Sequence, residues 1–164
     1  NISALSSGTI VSATDVNAMI ALGEDLGQGV AIMEHNAYLD LYNISALSSG
    51  QPQYWTRLGG DTSLYAATNL GPTLGGGLAV GGSRGILLFN RSSLLSQKYP
   101  QAWLTSWPTF TTKVTAVLWL EGSLSGGLAA RGSSSIHVFN ASMLLRGRFL
   151  PWLSRPCAQT PSWQ

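Results

Sequence analysis

Apolar residues in this chain come in short bursts broken by glycine and serine, as in "VTAVLWL" from Val114, "GGLAARG" from Gly126 and "SIHVFN" from Ser135. Runs this short, rich in β-branched and aromatic residues and bounded by turn formers, read as strands. One segment also fits a helix. Asp15 could cap a turn in which Val16, Met19 and Ile20 share a face. The copies of that segment carry Tyr65 and Thr68, or Thr115 and Trp119, and these favour a strand.

The copies emerge when the chain is written in rows starting at Val16, Leu64 and Val114, which are 48 and 50 residues apart. With one single-residue gap in the first row, Ala18, Ala66 and Ala116 align, as do Leu26, Leu74 and Leu124, Gly29, Gly77 and Gly127, Ala31, Ala79 and Ala129, and Asn43, Asn90 and Asn140. Each row is followed by a tail ending in tryptophan, at Trp55, Trp103 and Trp152. "NISALSSG" occurs at 1–8 and again at 43–50. The chain is therefore expected to divide into a remnant of a preceding repeat (1–13) and three repeats (14–61, 62–112 and 113–164), the last including a tail. Each repeat has the four short strands of one supersecondary unit. The alanine column at 31, 79 and 129 is expected to lie between close-packed neighbours, since it admits nothing larger.

The row "VTAVLWLEGSLSGGLAARGSSSIHVFNAS" resembles β-propeller blades of the broad kelch and quinoprotein-like kind. The resemblance runs from Val16 to about Trp152 and implies an all-β array of about three four-stranded, blade-like repeats, part of a propeller or a related assembly. It implies no activity. Three repeats and a remnant fall short of the four or so blades of the smallest rings. Further repeats of the same chain, or other protein chains, are thus the expected partners. The recurring tryptophans are expected to pack between blades.

Composition narrows the function classes. Charged residues make up only 10% of the chain and the net charge is +2 with no basic run, so no nucleic-acid footprint exists. The longest apolar run, Ala116 to Leu120, is far short of the roughly 20 residues of a membrane-spanning helix. A start at Asn1 without methionine reads as a mature or excised piece. The lone Cys157 has no internal disulfide partner.

Four Asn-x-Ser sequons, at Asn1, Asn43, Asn90 and Asn140, recur at one place in the repeat while the middle residue varies. Two readings exist. Asn and Ser could simply close a turn through side-chain hydrogen bonds. The joint recurrence of acceptor and hydroxyl favours N-linked glycans, and with them an extracellular or cell-surface setting on the secretory pathway. Turns after the first and third strands share one rim of a blade, so glycans would crowd that rim. The opposite rim would present Glu34, His35, Arg84 and Arg131 as a candidate binding surface.

Catalytic patterns are weak. "GGSRG" at 81–85 has nucleophile-elbow spacing but leads into a strand, where the motif has no meaning. His35 and His137 do not form a metal pair, "LGGGLAVGG" fails both phosphate-loop spacings, and the carboxylates are scattered. The expectation is a non-catalytic structural or binding scaffold without cofactor or metal. The alternatives are a viral or phage fibre or surface protein, and a non-catalytic part of a propeller-fold glycoside hydrolase.

Overall fold

The computed structural model describes residues 16–34, 38–44, 55–59, 63–97, 99–105, 113–121 and 126–157; the side chains of Val16, Asn17, Glu34 and Trp152 are outside the description. Three four-stranded antiparallel sheets follow one another along the chain, one per repeat. The first blade holds β1 (Val16–Ala21), β2 (Val30–Glu34), β3 (Tyr38–Tyr42) and β4 (Thr56–Gly59). The second holds β5 (Leu64–Asn69), β6 (Gly77–Gly82), β7 (Gly85–Asn90) and β8 (Leu104–Thr105). The third holds β9 (Ala116–Leu120), β10 (Gly127–Arg131), β11 (Ser135–Asn140) and β12 (Pro151–Pro156). Strands run in simple meander order in every blade. The segment that could have been a helix is β1, because its apolar residues pair across β2 and face both ways.

The repeat columns are physical positions. Ile20 pairs with Ala31, Thr68 with Ala79 and Leu118 with Ala129. The third strands continue the row, with Leu41, Leu88 and Val138 opposite those alanines. First strands of successive blades approach each other, β1 to β5 and β5 to β9, so they form the inner edge of the array.

Each blade has a leading face toward its predecessor and a trailing face toward its successor. One core lies between blades one and two, where Ala31, Met33, Leu39 and Leu41 meet Leu78, Val80, Phe89 and Leu94. A second lies between blades two and three, where Ala79, Ile86 and Leu88 meet Leu128, Ala130, Phe139 and Leu144. The trailing face of the third blade is different: Ala129 is half-buried where Ala31 and Ala79 are fully buried, which corrects the expectation that this column is close-packed throughout. No successor covers it among the described residues, and Leu118 (59%), Ile136 (43%) and Leu153 (43%) stand open beside it.

Plain turns were expected between strands, yet helical turns occupy one rim. A 3-10 turn follows the first strand at Glu24–Leu26 and at Pro72–Leu74, each closed by a glycine in the left-handed region, Gly27 (φ 79°) and Gly75 (φ 76°). Short helices follow the third strand: α1 (Arg91–Ser96) and α2 (Ala141–Leu145). α1 packs on the 3-10 turn of blade one and α2 on that of blade two, so both turn types share a rim.

Candidate functional site

Two of the sequon asparagines, Asn90 and Asn140, cap the helices of this rim. Asn90 Oδ1 accepts from the Ser93 backbone N–H at 2.8 Å and from Ser92 Oγ at 2.9 Å, and Asn140 Oδ1 accepts from the Ser142 backbone N–H at 2.8 Å. Both backbones are extended, as an N-cap requires, and both side chains are half-buried. Asn43 is exposed just after β3. Asn1 lies outside the described residues. The capping oxygen Oδ1 leaves Nδ2, the atom that would carry a glycan, uncommitted by these bonds.

On the same rim a cleft of about 650 Å³ opens between blades one and two, lined by Glu24, Asp25, Asn69, Arg91 and Glu121 among others. Its walls are the blade junction itself. Asp25 Oδ2 accepts from the Gly77 backbone N–H at 3.2 Å, and Arg91 Nε donates to the Asp25 carbonyl at 2.6 Å. Asn69 reaches back across the junction, donating to the Ala21 carbonyl at 2.8 Å and accepting from the Gly23 N–H at 3.3 Å. Farther out, Trp55 Nε1 and Thr56 Oγ1 both donate to the Leu94 carbonyl at the end of α1. Trp103 packs against the second core, so two of the recurring tryptophans do sit at blade junctions.

The opposite rim scatters its residues. Arg84 is exposed in the tight turn between β6 and β7, while Arg131 is exposed at the end of β10 rather than in the turn beyond it. Arg131 pairs with Ile136, which puts it on the open trailing face of the third blade. Glu34 ends β2 opposite Val16 and Tyr38, and His35 lies outside the described residues.

Polar residues inside the sheets were not foreseen as sites. Asp40 is fully buried and paired with Arg57 from β4, whose Nε donates at 2.6 Å while Nη2 forms a salt bridge with the second oxygen. The guanidinium lies 4.7 Å from the centre of the Tyr38 ring. The same column holds Leu87 opposite Thr105 in blade two and His137 opposite Ser154 in blade three. His137 is no free surface position: Nε2 shares a hydrogen bond with Ser135 Oγ (2.7 Å) and Nδ1 one with Ser154 Oγ (2.8 Å). Burial lowers its pKa below the ordinary histidine value. Among the described residues no three His, Cys, Asp or Glu side chains converge as a metal site, and no helix is long and apolar enough to cross a membrane.

No protein-family model matches the chain, and no curated protein matches it. Solved structures do. The chain is similar to BBS1N, seen in a crystal structure in complex with ARL6DN, with a TM-score of 0.50 and 13% sequence identity over 85% of this chain. The likeness covers 38% of that protein's chain, which has a β-propeller fold. At this identity it shows the fold: an all-β array of propeller-like blades.

Proposed function

We propose that this chain is a non-catalytic binding scaffold, a run of propeller blades that joins further blade surface to complete a larger structure. The open trailing face of the third blade carries the reading. Ile20, Leu39 and Leu41 of blade one and Ile86 and Leu88 of blade two pack against a following blade, while Leu118, Ile136 and Leu153 on the matching face stand exposed with no blade over them among the described residues. Isolated exposed apolar residues need no explanation, but a sheet face that is elsewhere an interface does. The likeness to BBS1N, crystallised in complex with ARL6DN, supports protein binding as the role of such a scaffold. The sequons support an extracellular glycoprotein whose sugars decorate the helix-bearing rim and leave the rim of Arg84 free for recognition. An environment-sensitive dye that lights up on apolar surface tests the face: it should bind the dilute chain, and Leu118→Asp with Ile136→Asp should remove most of that signal without loss of the β-sheet spectrum. Dye binding unchanged by both substitutions would remove the main support.

A further inference from the structure

The trailing face of blade three differs from its two covered counterparts in charge as well as in exposure. In blade one the cross-strand row of Met33, Leu39 and Leu58 is fully buried in the first core. In blade two the same row holds Gly81 and Ile86, and a Cβ built on Gly81 would meet Val114, just before β9, at 2.8 Å. In blade three the row is Arg131, Ile136 and Arg155, all exposed. Directly paired residues share a face, so the two guanidinium groups flank Ile136 on the side of Leu118 and Leu153. Two interstrand spacings set the arginine Cα atoms about 10 Å apart. Neither arginine meets a carboxylate among the described residues. Of the chain's seven acidic residues only Glu121 falls within 113–164, and it lines the cleft between blades one and two.

We propose that this face docks an acidic protein surface, one that sets two carboxylates about 10 Å apart among apolar side chains, so that Arg131 and Arg155 each gain a partner. The proposal rests on the reading that the open face receives further blade surface, and it names the chemistry of that surface. An apolar leading face such as Leu78, Val80 and Phe89 of blade two would strip water from both guanidinium groups and return no opposite charge. A second copy of the same face would set arginine against arginine, a like-charge contact that works against binding. Two carboxylates satisfy the arginines and leave Leu118, Ile136 and Leu153 free to bury apolar surface, so the arginines select the partner and the aliphatic side chains hold it. The matching faces of blades one and two are both covered by protein, which favours a protein over a lipid surface here.

The probe is a disulfide-closed β-hairpin peptide that presents glutamate and leucine on one face, used beside a twin with lysine in place of glutamate. Fluorescence anisotropy with the 164-residue chain should show the glutamate hairpin binding at least about tenfold more tightly than its twin, a preference that shrinks as salt is raised. Arg131→Glu with Arg155→Glu should reverse the preference, and Arg131→Lys with Arg155→Lys should keep its sign. All four changes fall on exposed side chains, so both variants should retain the wild-type circular dichroism and melting curve. Equal binding of the two hairpins, a preference unmoved by charge reversal, or no binding of either at millimolar concentration would overturn the acidic partner. A dye signal that persists in that case leaves the open face standing, which separates the failure of this proposal from failure of the reading beneath it. Phosphatidylserine vesicles that bind the wild type and not the Arg131→Glu, Arg155→Glu variant, while neither hairpin binds, would overturn the proposal in favour of a membrane surface.

Discussion

The two blade junctions use one geometry and two chemistries. Between blades one and two the contact at the turn rim is polar, with Asn69 bonded to Ala21 and Gly23, Asp25 to Gly77, and Arg91 to the Asp25 carbonyl. Between blades two and three the same columns are filled by bulk. Trp119 takes the place of Asn69, Thr73 stands where Asp25 does, and Phe139 meets Phe149 edge to face at 5.3 Å. A glycine faces the intruding side chain in both cases, at 23 and 71, and again at 76 and 126, where a Cβ would meet Asp25 or Thr73. The difference teaches that the repeat conserves where space is needed and leaves open what fills it. Backbone approach is set by the glycines, and the chemistry of each junction by a single partner column.

If the second junction is held by apolar packing, its aromatic centre should dominate stability. Phe139→Ala should cost about 3–5 kcal/mol in urea unfolding, since the ring is fully buried between α2, Phe149 and the second blade. A cost below about 1 kcal/mol would mean that blade three contributes little to cooperative unfolding, a breakdown of the comparison itself.

The next test sets a covered face against an open one. Ala79→Leu should overpack the second junction and cost about 1–3 kcal/mol. Ala129→Leu, the same change in the same column on the open face, should stay within about 0.5 kcal/mol for the dilute single chain. Equal losses at both positions would show that Ala129 is covered in solution at any concentration.

For the polar junction the expected effect is smaller. Asn69→Ala removes two hydrogen bonds from a partly buried side chain and should cost about 1–2 kcal/mol. Urea unfolding of this variant beside Trp119→Ala ranks the two chemistries directly. The tryptophan should be the larger loss, and the reverse order would say that the first junction, not the second, anchors the array.

Much of this architecture was legible from the chain. Strand type, blade count and the single-residue gap in row one follow from the apolar bursts and the aligned columns, because a sheet repeats its burial pattern wherever it repeats its neighbours. The helices were not legible as helices. "RSSLLS" and "ASMLL" are too short for a periodic signal, and they exist because Asn90 and Asn140 cap them and Leu94 and Leu144 anchor them in the junction cores. Asn69 and Trp119 gave no motif either. Their shared column with Ala21 was visible, but only the packing of one blade on another turns that column into a contact.

The sequons carry two readings that one substitution separates. Asn90→Asp keeps a capping oxygen and deletes the glycan acceptor, Ser92→Ala deletes the sequon and one hydrogen bond to Asn90, and Asn90→Ala deletes both cap and acceptor. Only Asn90→Ala should lose about 1 kcal/mol of stability, as caps do. All three should lower the mass of protein secreted from a glycosylating cell by one glycan. A mass unchanged by any of them would leave the asparagine as a cap alone and withdraw the main support for the extracellular setting.

The smallest expected effect lies at the outer part of the second junction and sharpens the contrast between blades one and three. Blade one fills its column with the charged pair Asp40 and Arg57, and blade three fills it with His137 held between Ser135 and Ser154. Burial lowers the folded-state pKa of His137, so an acidifying solution protonates the unfolded chain first. The stability contribution of the neutral ring is then fully present above the unfolded value of about 6.5 and is lost as pH falls through it toward the folded pKa. Urea midpoints measured at about pH 7.5 and about pH 5.5 should therefore drop on acidification in the wild type and drop less in His137→Gln, which keeps a polar group between the two serines. An equal drop in both proteins would assign the pH dependence to other groups and leave His137 as a spacer between two hydroxyls.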